Sequence, residues 1–285
     1  MLNPLRKIHG VYTGALGKET TFDVTYLPSE KTQPVLIFCH GFKGFKDWGG
    51  FNYVAEQFAL AGIIVFKINF SHNGTRIEDK ENFSDLESFS KNTLGMEMDD
   101  IAAAETYITE YLPELLPSCS LGHLYLLGHS KGGVSCILHA AHHVSMAKKI
   151  ITWGTPFNFF RSWSKQFLTT WREKGIQYIL NGRTRQQMPL SVSLLDDFEA
   201  HRNTYDMALA LPKIQQPLVA FHGTLDESVP WENAHEIAQY NKKAQARILE
   251  NANHTFGMTH PFSTDTIPDE LTKVIQESIQ VILND

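Results

Sequence analysis

The stretch "LYLLGHSKGG", residues 124–133, decides the fold. Its apolar run ends at Gly128, and Ser130 follows between two bulky polar residues. The run is typical of a buried strand, and apolar residues at helical spacing predict a helix directly behind it: Val134, Ile137, Leu138 and Ala141. The pattern G-x-S-x-G at such a junction predicts a sharp turn that presents the serine hydroxyl above the sheet. A serine that only caps the helix would also suit these residues.

Strands and helices alternate along the rest of the chain. An amino-terminal hairpin is predicted from "GVYTGALG" and "TTFDVTYLP". Short apolar runs then predict strands of a parallel sheet buried on both faces, at 34–40, 62–70, 123–129, 148–154, 216–223 and 244–250. Helical spacing lies between and after them, at 53–60, 101–111, 134–141, 234–238 and 271–282. The sequence therefore predicts an α/β fold, a mostly parallel sheet flanked by helices.

Residues 157–212 interrupt this rhythm. They begin "FNFFRSWSKQFLTTWREKGIQYIL", which is rich in Phe, Trp, Arg and Gln and indicates amphipathic helices rather than buried strands. We interpret this stretch, hereafter the cap segment, as a helical insertion over one end of a core formed by 1–156 and 213–285; ordinary surface helices are the alternative. A second irregular stretch, 71–95, is polar and is predicted to be a long surface loop.

A serine nucleophile needs a base and an acid that orients the base. Asp226 lies in "HGTLDESVP" (222–230), directly after a predicted buried strand, with Glu227 as a rival acid. His254 lies in "NANHTFG" (251–257), after the last predicted strand, with His260 as the nearest rival. The order Ser130, Asp226, His254 is the nucleophile–acid–base order of one fold. We expect these three residues to be catalytic, with activity requiring a neutral His254.

An early strand ends in "FCHGFKGFKDWG", residues 38–49. A turn of this kind can aim a backbone N–H at an oxyanion, so Phe42 and Lys131 are the predicted donors. A tight turn without chemistry is the alternative for His40 and Gly41.

Composition narrows the class of protein. With 42% hydrophobic residues, 285 residues can bury a large core, and a net charge of −6 does not favour nucleic acid or an anionic membrane as a partner. Three scattered cysteines, no apolar leader in "MLNPLRKIHG" and no membrane-length apolar run together predict a cytoplasmic protein. No spacing of His and carboxylates suggests a metal.

These motifs resemble the α/β-hydrolase superfamily of serine hydrolases over nearly the whole chain. The matching stretches are H-G-F at 40–42, G-H-S-K-G at 128–132, G-T-x-D-x-x-V-P at 223–230 and N-x-x-H at 251–254. Within the superfamily the chain looks most like capped esterases of the feruloyl-esterase and serine-aminopeptidase-like groups, and distantly like dienelactone hydrolases, which use cysteine instead of serine. Ser71 and Asn73 depart from the loop F-x-G-x-G-x-S of such enzymes. The resemblance implies an eight-stranded, mostly parallel sheet, a Ser-Asp-His triad and no cofactor.

The expected activity is hydrolysis of a small-molecule carboxylic ester through an acyl-enzyme on Ser130. Aromatic residues of the cap segment are predicted to bind the substrate: Phe159, Trp163 and Trp171. Cleavage of an amide or peptide, or acyl transfer to an alcohol, would need the same triad, and a peptide terminus could be anchored by one of three acids: Asp196, Asp197 or Glu199. A ligand-binding protein without turnover is a further alternative.

Overall fold

The structure is a computed structural model that describes residues 4–159, 163–182 and 184–284. Its strands, in chain order, are β1 (Arg6–Thr13), β2 (Glu19–Tyr26), β3 (Ser29–Cys39), β4 (Ile64–Ile68), β5 (Cys119–His129), β6 (Ala147–Trp153), β7 (Ile176–Leu180), β8 (Gln187–Ser191), β9 (Leu218–Gly223) and β10 (Ala244–Leu249). Its helices are α1 (Phe51–Leu60), α2 (Leu86–Ser90), α3 (Leu94–Glu110), α4 (Leu112–Leu115), α5 (Lys131–His142), α6 (Lys165–Lys174), α7 (Val192–Ala200), α8 (Arg202–Tyr205), α9 (Met207–Ala210), α10 (Glu232–Tyr240) and α11 (Asp269–Leu283).

Eight of the strands form one sheet in the order β1-β2-β4-β3-β5-β6-β9-β10. β1 pairs with β2, and β2 with β4, in antiparallel register, and every other pairing in this sheet is parallel. The carboxyl ends of β5, β9 and β10 therefore lie at the same edge, which is where open α/β sheets bind ligands. The alternation predicted from the sequence is confirmed.

Helices cover both faces of this sheet because its central strands are apolar on both sides. Along β3, Val35, Ile37 and Cys39 pack in one buried cluster, which also holds apolar residues of α3, α5 and α10. The intervening Leu36 and Phe38 pack in a second cluster with α1 and α11. Successive side chains of a strand point to opposite faces, and both faces are apolar here. The sequences of the central strands are therefore continuous hydrophobic runs. No helix in the described part of the chain is both long and apolar enough to span a membrane.

A buried ion network fixes the loop that follows the H-G-F turn to the sheet. Lys46 Nζ lies 2.7 Å from Asp23 Oδ2 and also contacts the carboxylate of Asp47. Lys67 Nζ lies 2.7 Å from Asp47 Oδ1 and donates to Asn52 Oδ1 at 2.7 Å. Burial lowers the pKa of Lys67 to about 8, against the opposing pull of Asp47 and Asp23. Because each buried charge has a partner of opposite sign, this loop is held without an uncompensated charge.

The first part of the stretch 71–95 is not the surface loop predicted from its polarity, whereas 76–82 is exposed or half-buried and contains neither helix nor strand. Residues 71–75 are buried, and Asn73 Nδ2 donates to His40 Nε2 at 3.3 Å and to Gly44 O at 3.4 Å. Asp85 caps α2 by accepting a hydrogen bond from Ser88 N. The prediction was wrong because polar side chains can be buried when their hydrogen bonds are satisfied within the protein.

The cap segment differs from its prediction in containing a hairpin, β7–β8, between α6 and α7. Gly175, with φ 71°, ends α6 in the left-handed conformation and leads directly into β7. Trp171, Met188 and Leu190 form a buried cluster with Phe45 of the core. The final part, α9, packs instead in the main core beside α5, where Met207 and Ala210 are buried. The segment is therefore only partly helical, and its packing on the core begins before residue 212.

Candidate active site

Ser130 occupies a strained turn between β5 and α5. Its φ of 54° and ψ of −123° lie outside the regions that non-glycine residues ordinarily adopt. Ser130 N donates to Trp153 O at 2.7 Å, and Ser130 O accepts from Gly133 N at 3.0 Å, so the neighbouring strand and the first helical turn hold this conformation. The side chain of Ser130 makes no capping hydrogen bond to α5. The helix-cap alternative is therefore wrong, and the hydroxyl is free to act elsewhere.

The glycines of the motif are required by close backbone contacts. A Cβ at Gly128 would lie 2.4 Å from Gly132 O, and one at Gly132 would lie 2.4 Å from His40 O. Both distances are too short for a carbon and an oxygen atom that are not bonded, so the backbone would have to move to accept a side chain at either position. The turn after β5 thus packs directly against the H-G-F turn after β3.

Ser130, His254 and Asp226 form one hydrogen-bonded line. His254 Nε2 lies 3.1 Å from Ser130 Oγ, and His254 Nδ1 lies 2.7 Å from Asp226 Oδ2. Asp226 follows β9 and His254 follows β10, so the sheet edge brings together residues that are 124 positions apart in sequence. A carboxylate can only accept, so His254 Nδ1 carries the proton and Nε2 is left to accept the serine proton.

Asp226 is held by more than His254. Its Oδ1 accepts from Ser228 N at 2.9 Å and Val229 N at 2.8 Å, and His222 Nε2 donates to its Oδ2 at 3.0 Å. Burial opposes ionisation, but the hydrogen bonds from His222 and His254 outweigh it and lower the pKa of Asp226 well below its usual value. The group that orients the imidazole is therefore a carboxylate at every pH at which the protein is expected to work.

The rival acid and base lie elsewhere. The Glu227 residue is exposed, and it is Asp226 that lies within hydrogen-bond distance of His254. His260 Nδ1 accepts from Gly49 N at 2.8 Å, and its ring stacks on Trp48. His260 thus fixes the loop 43–50 rather than meeting Ser130.

A histidine next to Ser130 supports the loop that carries His254. His129 Nε2 donates to His254 O at 3.0 Å, and the two rings lie 5.1 Å apart. Burial lowers the pKa of His129 to about 3, so the ring is neutral near pH 7. Sequence reasoning missed this residue and His222, although both stand inside the quoted motifs. Their role depends on contacts across strands that one-dimensional spacing does not contain.

The turn at residues 40–42 adjoins the serine. A Cβ at Gly41 would lie 3.0 Å from Ser130 Cβ, and His40 Nδ1 donates to Gly41 O at 2.9 Å. Burial lowers the pKa of His40 to about 4, which keeps its other nitrogen available as the acceptor for Phe70 N at 3.3 Å. Within the described residues, the backbone N–H groups of Phe42 and Lys131 donate to no protein acceptor. Both predicted donors are therefore adjacent to Ser130 and uncommitted.

Two cavities meet at Ser130. The smaller, of about 190 Å³, runs beneath the tip of the β7–β8 hairpin and is lined by Gly41, Phe42, Lys43, Gly44, Trp48, Phe51, His129, Asn181, His254 and Thr255 in addition to Ser130. The larger, of about 690 Å³, lies between the cap segment and the loop after β9 and is lined by Phe42, Lys43, Pro156, Asn158, Phe159, Trp163, Ser228, Val229, Pro230, Asn233 and His254 in addition to Ser130. An ester whose carbonyl carbon lies at Ser130 could place its acyl group in one cavity and its alcohol group in the other.

The three aromatic residues predicted to bind substrate are in different places. Phe159 and Trp163 line the larger cavity, and the Phe159 ring lies 5.5 Å from that of Phe42. Trp171 is fully buried behind Trp163, at a ring distance of 5.0 Å, and its Nε1 donates to Leu190 O at 2.8 Å. The structure therefore corrects its assignment: Trp171 supports the wall and lies outside the cavity surface because its ring completes the core of the cap segment.

The side chain of Lys131 points away from the catalytic line. Its Nζ lies 2.6 Å from Glu97 Oε1 and 5.6 Å from the centre of the Phe159 ring. Glu97 also accepts from Ser135 Oγ at 2.5 Å, so α3 and α5 share this buried pair. No group of three or more His, Cys, Asp or Glu in the described ranges is arranged to hold a metal ion.

Comparison with known proteins identifies a family model, described as "Putative esterase", that matches residues 13–267. No curated protein matches the chain.

Several solved structures share the fold over nearly the full length. Est1E from Butyrivibrio proteoclasticus, solved with ferulic acid bound, has a TM-score of 0.70 and 17% identity, covering 96% of this chain and 98% of its own. The mouse alpha/beta hydrolase domain-containing protein 10 has a TM-score of 0.68 and 16% identity, covering 96% of this chain and 98% of its own. A dienelactone hydrolase from Anabaena variabilis has a TM-score of 0.63 and 13% identity, covering 99% of each chain. The predicted α/β-hydrolase architecture is confirmed.

Proposed function

The chain belongs to this esterase family, and from that premise we propose that it hydrolyses a carboxylic ester through an acyl-enzyme on Ser130. The observation that carries the proposal is the hydrogen-bonded line from Ser130 Oγ through His254 to Asp226, at 3.1 and 2.7 Å. These distances are within the range at which a base can take the proton of a nucleophile.

In the first half of the reaction, Ser130 Oγ attacks the ester carbonyl carbon while His254 Nε2 takes the hydroxyl proton. Asp226 keeps the proton on Nδ1 and stabilises the imidazolium by its negative charge. The tetrahedral intermediate collapses when the C–O bond to the alcohol breaks, and His254 returns the proton to the leaving alkoxide. The products of this half are the free alcohol and an acyl ester on Ser130.

The oxyanion of the intermediate would accept from Phe42 N–H and Lys131 N–H. We expect the strained backbone of Ser130 and the glycine contacts beneath it to keep these two donors in position before the substrate arrives. Donors that are already oriented need not reorganise during the reaction, and one such donor contributes about 3–4 kcal/mol to acyl transfer.

In the second half, water replaces the alcohol. His254 Nε2 takes a proton from the water as its oxygen attacks the acyl carbon, and the collapse of the second intermediate returns that proton to Ser130 Oγ. The acid product then leaves and the hydrogen-bonded line is restored.

The cap segment favours an ester over a peptide substrate. Arg172 forms an ion pair with Asp196 and, at 2.7 Å, another with Glu199, and both acids are exposed. Asp197 accepts from Tyr205 OH at 2.9 Å and lies 3.1 Å from His201 Nδ1. The acids proposed as anchors for a peptide amino terminus are therefore engaged within the cap segment.

Labelling and turnover together test this proposal. A fluorophosphonate should add one adduct to the peptide that carries Ser130, and Ser130→Ala should abolish both this adduct and hydrolysis of p-nitrophenyl esters. Aminoacyl anilides assayed beside the esters should be cleaved more slowly. Adduct formation that survives Ser130→Ala would refute the nucleophile, and faster cleavage of the anilides would favour a peptidase.

A further inference from the structure

We propose that the natural substrate carries a negatively charged group, a carboxylate or similar oxyanion, and that Lys43 recognises it. This inference rests on the proposed function, because it concerns the two cavities that meet at Ser130. Lys43 lines both of them. Of the described residues that line either cavity, Lys43 contributes the one lysine, arginine or carboxylate side chain. A substrate in either cavity therefore meets a single positive charge on otherwise aromatic and neutral walls.

Lys43 differs from the other lysines around the site in having no carboxylate partner among the residues that the structure describes. Lys46, Lys67 and Lys131 each lie within 2.7 Å of a buried carboxylate oxygen. Lys43 Nζ forms no ion pair with a described carboxylate; it donates to the backbone Leu180 O at 3.3 Å and lies 6.0 Å from the centre of the Phe42 ring. An ammonium group has three donors, so hydrogen-bonding capacity is left over on the cavity side.

The surroundings of Lys43 strengthen its attraction for an anion. Burial lowers its pKa, which shows that the ammonium is partly removed from water. A charge in such a position interacts more strongly with an opposite charge than it would on the open surface. A bound oxyanion would supply the partner that the protein gives to the other three lysines.

The backbone of Lys43 is also held in an unfavourable conformation. Its φ of 55° lies in the left-handed region, where a lysine is strained relative to ordinary backbone. Asn or Gly would suit this position better if only a turn were needed. This strained lysine follows Phe42 in the turn, and its long side chain lines both cavities.

A structural explanation competes with this one. The hydrogen bond to Leu180 O joins the core to β7 of the cap segment, so Lys43 could serve only as a strut. A strut would affect charged and neutral esters alike, whereas a recognition residue changes their ratio. The ratio of kcat/KM within a matched pair of substrates therefore separates the two roles.

Two pairs of esters place the charge on each side of the reacting carbonyl. On the acyl side, the p-nitrophenyl monoester of adipic acid is compared with the methyl ester of the same compound. On the alcohol side, 3-carboxyphenyl butyrate is compared with 3-carbamoylphenyl butyrate. In at least one pair the ratio of charged to neutral kcat/KM should fall by roughly 10- to 100-fold in Lys43→Asn, the value of one hydrogen bond to a charged group. Asparagine tolerates the left-handed backbone, so the variant is expected to fold.

Two further variants complete the experiment. Lys43→Arg keeps the charge and should keep most of the ratio. Lys273→Met removes one positive charge from the exposed surface of α11 and should leave the ratio as in the unmodified protein. If Lys43→Asn changes neither ratio more than Lys273→Met does, while Ser130-dependent hydrolysis of the neutral esters persists, the inference is refuted and the proposed function stands. If no ester is hydrolysed and Ser130 takes no fluorophosphonate label, both are refuted.

Discussion

At the scale of single residues, one carboxylate oxygen links two histidines. Asp226 Oδ2 accepts from His254 at 2.7 Å and from His222 at 3.0 Å, while its other oxygen is held by two backbone N–H groups. His222 also donates to Val229 O at 3.1 Å, so it bridges the strand and the acid loop. Three of these four hydrogen bonds do not involve His254, so the position of the carboxylate does not depend on His254 alone.

Asp226→Asn should lower kcat by roughly 10⁴ while the fold remains intact. The amide is similar in size, but its NH₂ group can hold the wrong imidazole tautomer, as in related triads. Turnover of a p-nitrophenyl ester, with circular dichroism as the check on folding, measures this effect. Activity should also fall in acid, because a protonated His254 cannot accept the serine proton.

Glu227→Gln is the matched control for that substitution, because it changes an exposed neighbouring acid outside the hydrogen-bonded line. This substitution should lower turnover only slightly. Near-normal turnover in Asp226→Asn together with an inactive Glu227→Gln would mean that the acid has been misassigned, although a serine nucleophile would still be consistent with such data.

At the scale of elements, the cap segment contributes a wall made of aromatic rings stacked edge to face. Trp163 stands between the cavity and the buried Trp171, and Phe159 reaches the ring of Phe42 beside Ser130. The β7–β8 hairpin closes the smaller cavity through Asn181. The two parts of the cap segment thus bound different cavities.

Trp163→Ala should change the ranking of esters more than it changes turnover of a small acetate ester. It removes a large apolar surface from the larger cavity, and a long or aromatic group loses more contact than an acetyl group does. A series of p-nitrophenyl esters of graded acyl length measures the ranking. Tyr178→Ala, at a half-exposed position on β7 that lines neither cavity, is the control. A uniform fall over all esters would mean that Trp163 only supports the scaffold.

The elements show where sequence reasoning works and where it stops. The central strands were predictable because β3 and its neighbours are apolar on both faces, which leaves few alternatives. The hairpin in the cap segment was missed because its strands are short and only partly buried, so the pattern of Ile176–Leu180 resembles that of an amphipathic helix. The burial of 71–75 was missed because its hydrogen-bond partners include residues distant in sequence, in the turn after β3 and on α3.

At the scale of the whole molecule, buried neutral histidines link stability to pH. The folded-state pKa values of His129 and His40 are lowered to about 3 and about 4, against 6.5 for the unperturbed side chain. Below about pH 6.5 the unfolded chain therefore binds protons that the folded protein does not. The contribution of these residues is fully present above that pH and is lost as the pH falls toward the folded-state values.

His129→Gln should make stability less dependent on pH. A group whose pKa is lowered this far loses about 2 kcal/mol of stabilisation between about pH 7.5 and about pH 5. The free energy of unfolding in urea, measured at both pH values, should therefore decline less in the variant by about that amount. His235→Gln, on the exposed side of α10, should leave the decline unchanged. An equal decline in His129→Gln and the unmodified protein would contradict the assignment.

The candidate site was predictable in its chemistry but not in its support. Ser130, Asp226 and His254 follow strand ends in a telling order, so the topology alone brings them to one edge. His222 and His129 support the loops that carry Asp226 and His254, and the role proposed for Lys43 depends on the two cavities that it lines. Nothing in their spacing separates these residues from other histidines and lysines. Trp171 was misplaced because sequence cannot distinguish an aromatic residue on a cavity surface from one directly behind it.

The division of the site into two cavities has a consequence for timing under the proposed function. When the alcohol departs, the cavity that held it empties while the acyl group keeps the other filled. Departure of the alcohol thus leaves an acyl group to be hydrolysed and at the same time opens a route by which water can reach the acyl carbon. The acyl group bound to Ser130 meanwhile keeps a second ester away from the serine. The shape of the protein would in this way impose an order of exit and entry that the triad by itself does not contain.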